Sequence, residues 1–152
     1  MSACSEKIIY CGENKTNPVV IRKKPEKAYK EFAKEYSTTV STNIKYLDVL
    51  SLGDISVDSK NKIISFREQL NQDNIKMQEL LKASFFAFSQ NPCEISLKEK
   101  HYTLLEKLSN EKTVQSNIKI DLQKLVNSNN FTKDIGKEIS RINVIYQTST
   151  KL

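Results

Sequence analysis

Glycine and proline are scarce in this chain, three of each in 152 residues, and tryptophan is absent. With so few residues that punctuate a backbone, the sequence favours a small number of long helices over a fold rich in tight turns. Gly12, Gly53 and Gly136 stand far apart, which excludes the familiar glycine-rich loops that cradle phosphates. Histidine occurs once, as His101, so a serine or cysteine nucleophile has a single imidazole to draw on. Only Cys4, Cys11 or Cys93 could pair with it, and its seam position beside Leu104 and Leu108 reads as a structural, hydrogen-bonded histidine. Asp54, Asp58 and Asp73 are too scattered for a calcium loop, and no set of soft or imidazole ligands converges, so no metal or cofactor is expected.

The three cysteines are odd in number, widely spaced and without a CxxC pair. Neither a disulfide framework nor a zinc knuckle is indicated, and the expected environment is a reducing one, cytoplasmic or nuclear. The longest uncharged run, Ala83 to Cys93, is far shorter than the roughly 20 residues of a membrane-spanning helix, and the first residues lack a sustained apolar core of the export type. On that expectation the sequons at Asn14 and Asn130 are chance matches to a short pattern.

What is present is charge and helical periodicity. Apolar residues make up 38% of the chain, low for a compact globule, which points to narrow apolar stripes or to a core completed by another chain. The net charge of +6 is spread thinly: residues 1–53 carry 9 basic and 6 acidic side chains, 54–92 carry 5 and 5, 93–128 carry 6 and 5, and 129–152 carry 4 and 2. Only Arg22, Arg67 and Arg141 supply the guanidinium that reads phosphate and guanine bidentately, which weighs against sequence-specific DNA binding.

Residues 1–24 read as an N-terminal arm or small hairpin, with two β-prone runs, Ile8 to Cys11 and Val19 to Arg22, around a turn-forming stretch. Residues 25–152 read as one helical domain. Pro25 suits a first helical turn, and Tyr29, Ala33, Tyr36, Val40, Asn43, Leu47 and Leu50 recur in fours and threes, the seam of a coiled coil, widened by Ile44 and Val49. The β-branched cluster Ser37 to Thr42 makes this helix depend on tertiary support. A second helix from about Ser59 to Ser89 carries Ile63, Phe66, Leu70, Met77, Leu81 and Phe88 along one side, interrupted at Asp73 and Asn74. Its end, LLKASFFAF, is apolar on several sides: Leu81, Phe85 and Phe88 share a face, while Leu80 and Phe86 point away from it. A third helix opens on a capping box at Ser96 and Glu99 and bears His101, Leu104, Leu108, Glu111, Gln115, Ile118, Leu122 and Leu125, apolar at both ends with a polar waist. Thr132 can cap a shorter last helix lined by Ile135, Ile139, Ile142 and Tyr146, weakened slightly at Gly136. The expected fold is therefore all-α, an elongated or coiled-coil-like bundle of three long helices and a fourth shorter one.

The leading functional expectation is a non-enzymatic adaptor or scaffold subunit that packs its helices against helical partner chains. Tyr29, Tyr36, Val40, Leu47, Phe85, Phe86, Phe88, Leu104, Leu108 and Ile118 are its candidate contact residues. The rival is a nucleic-acid or acidic-surface binder using Lys23, Lys24, Lys27, Lys30 and Lys34, with Lys133, Lys137 and Arg141 forming a second stripe. A solvated helix face explains both stripes equally simply, because glutamates interleave with the lysines. A self-contained bundle that inhibits a partner through its surface is a third reading. Carboxylates spaced by four, Glu31 with Glu35 and Asp134 with Glu138, read as solvated surface, and a small-molecule ligand is not expected.

Overall fold

The hairpin comes first in the chain and belongs to the first of two compact units. The computed structural model describes residues 5–128 and 135–150. Strands β1 (Glu6–Cys11) and β2 (Asn17–Arg22) pair antiparallel, with Ile8 opposite Val20 and Ile9 opposite Val19. Alternation then divides the side chains. Cys11, Val19, Ile21 and partly Ile9 turn inward, whereas Ile8, Tyr10 and Val20 remain exposed. The connecting turn is closed by the Lys15 amide donating to the Gly12 carbonyl at 3.0 Å. Gly12 takes a positive φ of 94°, which a residue without a Cβ adopts at no steric cost.

Four helices follow: α1 (Pro25–Ser51), α2 (Val57–Gln90), α3 (Ile95–Asn127) and α4 (Ile135–Thr150). The all-α expectation, with an N-terminal hairpin, is what the chain adopts. Helix α1 does not break at Ser37 to Thr42. Thr39 and Thr42 donate their hydroxyls back to the carbonyls of Glu35 and Thr38, at 3.0 and 3.1 Å, while Tyr36 and Val40 are buried. The helix closes without a left-handed glycine, through Leu52 and Gly53 amides bonded to the carbonyls of Val49 and Leu50. Val49, expected to widen the seam, is exposed. Helix α2 starts two residues earlier than expected because Ser56 caps it, accepting from the Ser59 amide at 3.1 Å.

The expected capping box of α3 is not formed. A turn closed by the Glu94 amide on the Asn91 carbonyl (3.1 Å) starts the helix at Ile95 and places Ser96 inside it, where its hydroxyl donates to Glu94 Oε1 at 3.1 Å. Glu94 is thus the capping residue, and its carboxylate suits a helix N-terminus. Helix α3 then runs unbroken through Ser109 and Asn110. The expected cap Thr132, Lys133, Asp134, Cys4 and the Asn130 sequon lie outside the described residues.

The chain divides into two compact units. Met1–Lys34 with Ile75–Ser109 form unit 1, and Glu35–Asn74 with Asn110–Leu152 form unit 2, so that α1, α2 and α3 each contribute to both. In unit 1 the hairpin's inner face packs on Phe88, and Phe85 of α2 meets Phe32 of α1 at a ring separation of 5.1 Å. In unit 2, Tyr36, Leu47, Phe66, Leu70, Leu122, Ile139 and Tyr146 are buried, and Phe66 meets Tyr146 edge-on at 5.7 Å.

Two polar features interrupt the unit 2 core, and both explain gaps in the apolar seams. Asn43 Nδ2 donates to Gln115 Oε1 at 2.9 Å and to the Gln115 carbonyl at 3.0 Å, leaving Asn43 Oδ1 buried without a partner. A buried amide pair of this kind ties one helix register to another, because any slip leaves both amides dry and unbonded. Gln115→Leu alone is expected to cost about 1–3 kcal/mol, and Asn43→Leu with Gln115→Leu to recover most of that loss. Thermal melts of the single and double variants check this; a double variant no more stable than the single one refutes it.

The second feature is Asp73, which breaks the α2 seam to receive the Tyr146 hydroxyl and, at 2.9 Å, the Gln69 amide. Burial holds the Tyr146 phenol well above its ordinary pKa, helped by that bond, and burial with Glu111 and Asp73 does the same for Tyr36.

Gly136, read from sequence as a weak point of α4, is a close-approach site. A Cβ there would sit 2.6 Å from Ser59 Oγ and 3.2 Å from Ser59 Cα. Alanine normally stabilises a helix by up to about 1 kcal/mol over glycine. Here Gly136→Ala should destabilise by about 1–2 kcal/mol despite that gain, since backbone must shift. Urea unfolding is the measurement, and Ser59→Gly in the same chain should restore part of the loss.

Candidate functional site

The seam residues complete the chain's own core. Tyr29, Phe85, Phe88 and Leu108 are buried in unit 1, and Tyr36, Val40, Leu47 and Ile118 in unit 2; Leu104 is half-buried. Of the candidate contact residues, Phe86 alone faces solvent, 51% exposed against 2% for its neighbour Phe85. The reason is rotation: successive helical residues lie about 100° apart, and Phe85 takes the inward position.

Phe86 does not stand alone. Eleven residues earlier on the same outer side of α2 lies Ile75, also exposed, while Leu80 is exposed on a different flank of the helix. Beside Phe86 is a hollow of about 410 Å³ lined by Glu26, Glu79, Lys82 and Ala83. The hollow lies within unit 1, between the first turn of α1 and α2. Its floor is apolar, made by Ala83 and the Phe86 ring, and charged side chains stand around it.

The lysine stripe is also at the surface of unit 1. Lys23, Lys27, Lys30 and Lys34 are exposed and Lys24 is half-buried, and among the described residues none of the five is in an ion pair. In the second stripe, Arg141 is bound to Glu138 at 3.0 Å, while Lys137 is exposed.

His101 sits at the centre of the aromatic cluster of unit 1. It stacks on Phe88 with ring centroids 4.7 Å apart, meets Phe85 edge-on at 4.6 Å, and is joined through Nδ1 to the Ser84 hydroxyl by a 2.9 Å hydrogen bond. Burial, with the Arg22 guanidinium adding, pushes its pKa down to about 4. A cavity of about 110 Å³ lies against it, bordered by Phe32, Phe88, Tyr102 and Leu105. Sequence reasoning did not find Ser84, since a serine seventeen residues away gives no local signal. The pair resembles half of a hydrolytic triad, but an imidazole with a pKa near 4 is a poor general base at neutral pH. Its geometry fits a hydrogen bond that satisfies a buried ring.

Cysteine is where sequence reasoning went furthest astray. Cys11 and Cys93 are joined as a disulfide across 82 residues, so the absence of a disulfide expected from their number and spacing is corrected. The argument for a reducing compartment rested on that absence and falls with it. The odd count concealed a pair, because spacing along the chain says nothing about which side chains a fold brings together.

Among the described residues no group of three or more histidine, cysteine, aspartate or glutamate side chains could hold a metal ion, and no helix is long and apolar enough to cross a membrane. Compared with family models, curated proteins and solved structures, the chain matches none.

Proposed function

We propose that this protein is a non-enzymatic helical subunit that works by packing against another chain, and that the outer side of α2 in unit 1 is where it does so. One observation carries the reading: α2 buries Leu81, Phe85 and Phe88 and keeps Phe86 in solvent beside an apolar hollow, with Ile75 exposed on the same side of the helix. Aromatic side chains that enter or receive a partner's side chain dominate interface energies once water is excluded, and a half-exposed phenylalanine near the end of a helix has that role available to it. The Ser84–His101 pair lends little weight to a competing catalytic reading, its ring held neutral by a pKa near 4 and hydrogen-bonded through Nδ1 to the serine.

Affinity capture with wild type and with Phe86→Lys tests the proposal. A chain retained by the first and lost from the second, at equal thermal stability of the two baits, is the expected result. Identical capture profiles from both would remove the α2 surface from consideration.

A second reading is favoured by one fact, the five lysines from Lys23 to Lys34 that make no ion pair among the described residues. It makes the start of α1 a polyanion contact. Binding to a mixed-sequence duplex should then weaken steeply with salt, and Lys27→Glu with Lys30→Glu should abolish it. Absence of binding at low salt ends this second reading.

A further inference from the structure

We propose that the Cys11–Cys93 disulfide is a redox-operated clasp: a dithiol reductant frees the β1–β2 hairpin from unit 1 while the helices remain folded, and so uncovers the apolar face around Phe88 and His101. The hairpin is tied down at both ends. At one end the backbone continues through Lys23 and Lys24 into α1; at the other, Cys11 is the last residue of β1, next to the turn, and its sulfur is bonded to Cys93 in the connection between α2 and α3. Breaking the bond leaves a two-stranded flap hinged at Lys23.

The remaining hold on that flap is slight. Two strands alone are barely stable in water, and persist only when a face is packed on something larger. Here that face amounts to Val19, Ile21, Cys11 and part of Ile9 against Phe88. The polar ties include the Ser89 hydroxyl reaching the Arg22 carbonyl at 3.5 Å and the Arg22 guanidinium over the Phe32 ring at 5.2 Å. On the outer face Ile8 and Tyr10 are more than half in solvent, and Val20, though partly exposed, borders the cavity beside His101.

The helices depend on the bond far less. It joins the hairpin to a connection, whereas the helical segments of unit 1 are packed through Phe32, Phe85, Phe88 and His101, of which Phe88 shares a cluster with Cys11. What lies beneath the flap is therefore a preformed apolar and aromatic face, with the 110 Å³ cavity bordered by Val20 and Ile21 on the hairpin side opening to solvent when the flap lifts.

Access fits the same device. Cys93 is exposed and Cys11 is buried on the inner face. A thiolate of the reductant attacks the Cys93 sulfur, forming a mixed disulfide there, and Cys11 leaves as a thiolate that takes up a proton. The reductant's second thiol then attacks the mixed disulfide, releasing Cys93 as a thiol, so that two electrons and two protons pass to the protein and the reductant ends as its own disulfide.

Hydrogen exchange on the full chain, with and without dithiothreitol and with trapping of free thiols by iodoacetamide, tests the clasp. On reduction the amides of Glu6–Cys11 and Asn17–Arg22 should exchange roughly 100-fold faster or more, while those of α4 keep their rates within about threefold. Cys93→Ser should reproduce the reduced pattern without reductant, and Cys11 should become alkylated in the native chain. Unchanged hairpin protection after complete reduction overturns the proposal. So does parallel loss of protection in all four helices, which would make the bond a staple for the whole fold, and so does failure of dithiothreitol to open the bond without denaturant.

Discussion

Phe85→Ala lowers the unfolding free energy by about 3–5 kcal/mol, and Phe86→Ala, one residue further on, changes it by about 1 kcal/mol or less. The two side chains are chemically identical and adjacent, so the difference isolates their surroundings. Phe85 is packed between Phe32 and His101 and 2% exposed, and removing its ring leaves a cavity that a helix held on both sides cannot collapse to fill. Phe86 is already half in water beside an open hollow, and its loss leaves no enclosed void. Urea unfolding of the two variants is sufficient; equal losses would mean that α2 is rotated and that its outer side is not the surface proposed for a partner. The same pair separates stability from binding, since Phe86→Ala is expected to weaken partner capture at nearly full stability.

Acidification exposes the second large effect. In the unfolded chain the imidazole of His101 takes up its proton near pH 6.5, and in the fold only near pH 4. Between those values the unfolded chain holds more protons than the folded one. Stability from this group is therefore complete above about pH 6.5, falls as pH drops toward 4 and levels off below, by at most about 3 kcal/mol. Carboxylates titrate in part of the same range, so the comparison is with His101→Phe, which keeps the aromatic packing and removes the proton site. The wild type should lose stability more steeply than this variant from pH 6.5 to 4. Because the chain has one histidine, its ring proton resonance also reports the titration directly. A midpoint near 6.5 in the folded protein contradicts the burial argument.

Much of the fold was legible before any coordinates. Helical spacing placed Tyr36, Val40, Leu47, Ile63, Phe66, Leu70, Ile139 and Tyr146 on apolar stripes, and all are buried. That Tyr36, Val40 and Leu47 lie in the chain's own core, where the spacing offered them to partner chains, was not legible. Pro25 marked the start of α1, and Pro92 stands just beyond the end of α2. The excess apolar character of LLKASFFAF was visible too, and it corresponds to a helix with a buried side and an exposed one. Boundaries were less legible. Ser56 and Glu94, not Ser59 and Ser96, open α2 and α3, because a cap is decided by the turn that delivers the chain to the helix. From sequence, Asn43 stood in a seam, Asp73 interrupted one and Gln115 belonged to a polar waist; each is one half of a pairing whose other half lies 72 or 73 residues away.

Periodicity is a local property, set by 3.6 residues per turn, and through it the sequence by itself determined that the chain is helical, how many helices it forms and which stripe of each is greasy. Partnership between distant residues has no local signature. Only the tertiary structure decided that the stripes close on one another, that His101 meets Ser84, that Gly136 must stay small against Ser59, and that Cys11 and Cys93 form a bond. A side chain's chemistry is written in the sequence, but the few ångströms that give it a neighbour arise from the packing of whole helices, which no single segment encodes.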